Sequence, residues 1–252
     1  MIQMRYKVLF VFAAILAGFV ITDVSYAELP AVNLNIQPTD DPKKVADTVK
    51  LLLLLSFLSL LPAFLMMFTC FIRIIIVLSF LRQGLGTPQI PPNQILIGLA
   101  LFLTIFIMAP VYNEINVQAI QPFLNDEIDQ KEFFDRAVIP LKDFMSNQTR
   151  EKDIALFVEL SGVEQPRNIY DVPLTVLVPA FIISELKTAF LIGFLIFVPF
   201  LVIDMVVAST LMSMGMFMLP PIMISLPFKI LLFIMVDGWH LVIKSLVQSF
   251  GI

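Results

Sequence analysis

SELKTAFLIGFLIFVPFLVID, Ser184 to Asp204, decides what kind of fold this chain can adopt. From Thr188 to Ile203 no residue carries a charge, so the run reads as a helix in lipid or one buried in protein. Pro199 removes a backbone donor within it, and lipid offers no replacement partner. Glu185, Lys187 and Asp204 border the run, and each is costly facing lipid and cheaper facing an opposite charge.

Three other runs share these features. Leu51 to Ile72 lacks charge, with Pro62 expected to break it and Arg73 interrupting its continuation IIIVLSFLR. The Gly- and Pro-rich turn QGLGTPQIPPNQ follows, and then a second span from about Ile95 to Val111. The last run, Met205 to Phe228, is divided by Pro220 and Pro221, contains Pro227, and resumes after Lys229 as ILLFIMV. Broken helices at membrane depth must be covered by protein or line a cavity. Arg73, Glu185, Lys187, Asp204, Lys229 and Asp237 are therefore expected to make inter-helix or inter-subunit contacts, with snorkelling to the interface as the alternative for Lys187 and Lys229.

Composition agrees. Hydrophobic residues make up 59% of 252 and charged ones 14%, and the mean hydropathy is +0.93. The fold class is an all-α membrane protein of Pro-broken hydrophobic helices. A net charge of -4 with scattered basic residues gives neither a nucleic-acid footprint nor a polybasic lipid patch. Cys70 is the sole cysteine, in the apolar run FLMMFTCFIR, and reads as a buried small hydrophobe.

Charge also sets the domains. Arg5 and Lys7 precede an apolar stretch, Val8 to Ile21, and TDVSYA then places Ser25 and Ala27 at the positions of a cleavage site. Residues 1–27 read as a cleavable signal peptide cut after Ala27, an uncleaved anchor being the alternative. Residues 28–50 would be a periplasmic segment and 51–111 a first hydrophobic hairpin. Seventeen charged residues, eleven of them acidic, lie from Phe123 to Asp171, so 112–184 reads as an acidic, helical, extracytoplasmic domain. Asp129 with Glu132 resembles a capping box, and a second helix is expected from near Thr149 to a stop at Gly162. Residues 185–252 form a second hydrophobic hairpin. The positive-inside rule has little to act on beyond Arg73 and Arg82.

Motifs for enzyme chemistry are weak, and no enzymatic activity, metal or cofactor is expected. SELK fits a Ser-x-x-Lys pattern without the companion motifs, and GLG at Gly84 to Gly86 lacks the rest of a P-loop. His240 is the only histidine, beside Trp239, so no His cluster binds zinc. Met212, Met214, Met216 and Met218 in STLMSMGMFMLPP stand out. Period two spreads them around a helix axis, so a loop or extended stretch is expected. Thioethers are soft copper ligands, which leaves a Cu(I) transporter as a remote reading. Unbranched, polarizable side chains also adapt to changing shapes, as a seal around a passing chain would need.

The segments PAFIISELKTAFLIGFLIFVPFLVIDMVVASTLMSMGMFMLPPIMISLPFKILLFIMVDGW, QTREKDIALF and PAFLMMFTCFIRIIIVLSFLR closely resemble the FliP family of flagellar type III secretion export-gate membrane proteins, whose injectisome counterparts are called SctR. The resemblance implies a tapering helical ring of about five copies in the bacterial inner membrane and flagellar basal body, much of it on the periplasmic side. It implies Q-type and R-type gate subunits, the B-type switch protein, the A-type export protein and the basal-body ring and rod as partners, and exported flagellar proteins as cargo. It further implies that Met212, Met214, Met216 and Met218 form a channel gasket, with Phe217, Pro220 and Pro221 in the adjacent loop. Unfolded subunits would cross this channel, driven by the proton motive force. A structural scaffold that never contacts substrate, and a stand-alone transporter, are the readings from other classes.

Overall fold

The computed structural model describes residues 42–87, 89–163, 166 and 168–251, apart from the side chains at 42–47, 61, 62 and 65. The expected signal peptide, its cleavage after Ala27 and residues 28–41 of the exported segment lie outside the described residues. Every element described is helical.

The chain divides into two units, Met1–Ser56 and Phe57–Ile252. In the first, the described part is the opening of α1 (Pro42–Met67), where Leu52, Leu53 and Leu54 are exposed. The helical backbone continues past Pro62 to Met67, so the break expected at that proline falls instead at residues 68–70.

In the second unit α2 (Phe71–Gly84) is the central helix. Phe71, Ile74, Leu78 and Leu81 recur every third or fourth residue and are buried, as one face of a helix requires. α2 packs along α7 (Leu174–Ser213) and against α3 (Asn93–Ile115). Gly193 of α7 makes the first contact close: a Cβ there would lie 2.6 Å from Cγ of Phe80. Ile74, Val77 and Leu78 of α2 meet Leu96, Ala100 and Ile107 of α3, Ala189 of α7 and Leu246 of α9 (Gly238–Gln248) in one core.

After α3 comes a wide π turn, Asn116–Ile120, and a short α4 (Gln121–Leu124). The wide turn precedes Pro122, whose ring would collide with the carbonyl four residues earlier in a regular helix. α5 (Gln130–Gln148) and α6 (Glu151–Ser161) then pack on the start of α7 through Met145, Val158, Val176, Leu177 and Phe181. Asp129 caps α5 by accepting from Glu132 N–H at 2.7 Å. The Glu132 side chain turns instead to Arg136, so the capping box is half made. Gly162 ends α6 at φ 66°, the left-handed conformation that glycine adopts without strain.

α7 changes the reading of the hydrophobic runs. It is one helix of 40 residues, about 60 Å long, about twice the hydrocarbon thickness of a bilayer. Thr188–Ile203 is only its middle, and Met205–Phe228 straddles its end, a loop and α8 (Pro221–Met235). The boundaries expected at 111/112 and 184/185 both fall inside helices. The prolines differ by position. Pro220 and Pro221 separate α7 from α8, whereas Pro110, Pro140, Pro179, Pro199 and Pro227 sit inside continuous helices.

Where four spans were expected, two helices among the described residues are long and apolar enough to cross a membrane, Asn93–Leu124 and Leu174–Ser213. The pair α8 and α9, bent by 65°, makes a third if counted as one span. The bend lies at Asp237, φ 50°, and at Gly238, where a Cβ would come within 2.2 Å of the Phe233 ring. The chain is an all-α membrane protein.

Candidate functional site

Arg73 lies in the first turn of α2, and packing on α7 carries its side chain out of water to 2% exposure. An isolated charge there would be prohibitive. Glu185, fully buried on α7, answers it: Arg73 donates from Nε to Glu185 Oε2 at 3.0 Å and from Nη2 to Oε1. Nη2 also donates to Gln148 Oε1 at 2.9 Å, at the end of α5. Nη1 donates to the Ser249 carbonyl at 3.0 Å and to its Oγ at 3.1 Å. The guanidinium carbon stands 3.9 Å from the centre of the Phe250 ring, whose carbonyl accepts from Gln148 Nε2 at 3.2 Å. All five N–H donors of the arginine fork are used, tying α2, α5, α7 and the segment after α9 together.

A second pair sits lower on the same long helix. Lys229 of α8 is 3% exposed and donates to Asp204 Oδ2 at 2.6 Å and to the Gly84 carbonyl at 3.1 Å. Gly84 ends α2, where unsatisfied carbonyls and the helix dipole favour a cation. Ser225, one turn before Lys229, donates to Asp204 Oδ1 at 2.5 Å. The buried position of Lys229 removes the snorkelling alternative for that residue.

A third cluster joins α6 to α7. Ser184 Oγ donates to Asp153 and accepts from Arg150 N–H at 3.1 Å. Its hydroxyl is therefore held in a structural bridge. Burial is the largest influence on the Asp153 carboxyl and pushes it up, but the bonds from Ser184 and Arg150, with the Arg150 and Lys152 charges, outweigh it and hold the group below its ordinary value. Lys187 is exposed, near Arg150, Lys152 and Asp153. Asp237 is exposed at the α8–α9 bend, where its carbonyl accepts from Leu241 N–H at 3.1 Å.

The four methionines are not on one extended stretch. Met212 belongs to the last turn of α7, and Met214 is the cap residue. Gly215, at φ 76°, turns the chain: its N–H reaches the Met212 carbonyl at 3.0 Å and Met216 N–H reaches the Leu211 carbonyl at 3.0 Å. This paired pattern closes the helix end and needs the left-handed glycine. The loop then projects Phe217 and Met218, 78% and 96% exposed, before Pro220 and Pro221 restart the helix. Among the described residues no group of three or more His, Cys, Asp or Glu is placed to hold a metal ion.

The partners Gln148, Ser249, Phe250, Ser225, Asp153 and Gly84 were not anticipated. Arg73 and Ser249 are 176 positions apart, and no local pattern announces such a contact. A buried Arg must fill its fork, which is the one sequence signal that more partners existed.

A FliP family model matches residues 54–246, which include Arg73, Glu185, Asp204, Lys229 and the methionine loop. The chain belongs to the FliP family. The flagellar biosynthetic protein FliP of Bacillus subtilis is 60% identical over 217 residues, 86% of this chain and 98% of that protein. That of Aquifex aeolicus is 47% identical over 236 residues, 93% and 95% of the two chains. That of Pectobacterium carotovorum is 51% identical over 225 residues, 89% and 87%. In this FliP-family chain the Arg73 hub also reaches Ser249 and Phe250, just beyond the matched stretch.

Proposed function

We propose that this chain is a subunit of the flagellar protein export gate and that its methionine loop seals the channel through which unfolded flagellar proteins leave the cell. The observation that carries the reading is the tip of the α7–α8 hairpin. Met214, Phe217 and Met218 stand 73%, 78% and 96% exposed at the end of a 40-residue apolar helix, on a loop without charge. A single chain gains nothing by exposing them. Copies arranged around an axis would gather these tips into an apolar ring that closes on itself and adapts around a passing chain.

Other features support a ring in the inner membrane and basal body. α7 is about twice as long as the hydrocarbon layer is thick. Exposed Phe190, Phe194, Leu195, Met205 and Val206 leave it without cover in the single chain. About five copies, joined by Q-type and R-type subunits and by the B-type and A-type proteins, would provide that cover. Helices α5 and α6, within the acidic stretch 123–171, then face the periplasm near the ring and rod.

The test is site-specific crosslinking from positions 212 to 218 while a substrate is stalled by a folded C-terminal plug. Crosslinks to the stalled chain support the conduit. Crosslinks only to neighbouring copies, with substrate trapped in the complex, would make the loop a packing element and the protein a scaffold.

A further inference from the structure

We propose that the groove between α6 and the helical turn Ile169–Asp171 docks a partner protein, through a segment that carries apolar side chains and a lysine or arginine. The groove holds about 780 Å³. Glu151, Ala155 and Glu159 on its α6 wall are exposed, so it can be entered from solvent.

Both walls are fixed before any partner arrives. Val158 and Val172, at the floor, are buried and belong to the core that holds Met145 and Phe181. The wall opposite α6 is tied down twice: Asn168 N–H donates to Asp171 Oδ2 at 3.1 Å, and Lys142 Nζ of α5 donates to the Tyr170 carbonyl at 2.8 Å. Ile154, Ala155 and Ile169 complete an apolar lining whose burial would favour association. A preformed groove also lowers the ordering cost of binding.

Charge selects the occupant. Glu151 and Glu159 stand about 12 Å apart along the α6 wall, and no basic residue lines the groove. Neither carboxylate enters an ion pair among the described residues. Glu159 lies in the last turn of α6, which has no basic residue. Unsatisfied carbonyls and the helix dipole favour a cation at that end and disfavour a carboxylate. A lysine or arginine brought by a partner would meet Glu159 and the helix end together.

The same two carboxylates repel an anionic lipid surface, and a bare inorganic cation would leave the apolar floor uncovered. A segment with apolar side chains and a basic residue satisfies floor and rim at once, as a peptide laid into a groove does. No residue of the methionine loop lines the groove, so this docking is independent of the channel reading.

The experiment uses the full chain in phosphatidylcholine nanodiscs as bait for a displayed library of random twelve-residue peptides, with empty nanodiscs removing lipid binders. Selected peptides are labelled and titrated by fluorescence anisotropy against the wild type, Glu151→Gln with Glu159→Gln, and Ala155→Trp, which fills the groove from an exposed position. Ala155→Gln serves if the tryptophan variant folds poorly. Glu127→Gln with Asp135→Asn, at exposed carboxylates outside the groove, is the charge-matched control. We expect selected peptides to join apolar residues to a lysine or arginine, to bind the glutamine pair about tenfold more weakly, to lose binding to Ala155→Trp, and to bind the control as they bind wild type. Peptides without a basic residue, equal binding by wild type and both groove variants, or an equal loss in the control overturn the proposal. A library that yields no binder overturns it as well, and if Ala155→Trp then breaks self-association of the chain, the occupant is a second copy.

Discussion

Arg73 and Glu185, 112 positions apart, form an ion pair with 2% and 0% side-chain exposure at the crossing of α2 and α7. Because both charges are desolvated, their mutual geometry matters more than their number. Glu185→Gln leaves a buried cation with weakened acceptors, and Arg73→Met leaves a buried carboxylate. Each is expected to cost about 3–5 kcal/mol, read as a lower midpoint on denaturant titration of the detergent-solubilised chain. The double variant Arg73→Met with Glu185→Met should recover part of that loss. A single variant as stable as wild type would show that the pair is not desolvated in solution.

Lys229 joins the hairpin to α2 rather than to lipid. Lys229→Met removes its bonds to Asp204 and the Gly84 carbonyl, leaving Asp204 with Ser225. Faster amide exchange is expected in α8 and the last turns of α7, with α5 and α6 unchanged. Uniform exchange across the molecule would contradict a local lock.

Gly193 admits the Phe80 ring. Gly193→Ala places a methyl 2.6 Å from Cγ of that ring and should destabilise by about 1–3 kcal/mol. Shortening Phe80 to Leu in the same chain should return part of it. Additive losses in the pair would show that α2 and α7 do not meet there.

The Asp153 carboxyl is held below its ordinary value. Its folded form therefore holds its proton less tightly than the unfolded chain does. The stability this contributes is fully present above the unfolded value near pH 4 and is lost as pH falls through the lower folded value. Amide exchange of α6 against α7 should rise below about pH 4, and Asp153→Asn should flatten that dependence. A pH response unchanged by the substitution would assign it to other groups.

The methionine loop predicts a leak. Alanine at 212, 214, 216 and 218 together should raise ion leakage through assembled complexes while leaving their abundance unchanged. Unaltered conductance with intact assembly would remove the gasket role.

Much of this was readable beforehand. Apolar runs, a charged helical region and punctuation at Gly162 and Pro220–Pro221 identify helices and class, because side-chain periodicity and backbone constraints are local. The extent of α7 was not readable that way. Glu185, Lys187 and Asp204 look like span ends, yet the helix continues through all three because Arg73, Lys229 and exposure to solvent each provide a place for the charge.

The sequence alone determined that this chain is helical, apolar, and unable to leave its internal charges facing lipid. It also determined that Met212 to Met218 form a charge-free cluster beside two prolines. Only the tertiary structure decided which buried charge answers which, Arg73 with Glu185 and Lys229 with Asp204, and that Ser249 and Phe250 return to Arg73. The hydrogen bonds among them join residues 25 to 176 positions apart, and the burial that makes each charge need a partner exists only once the helices have packed.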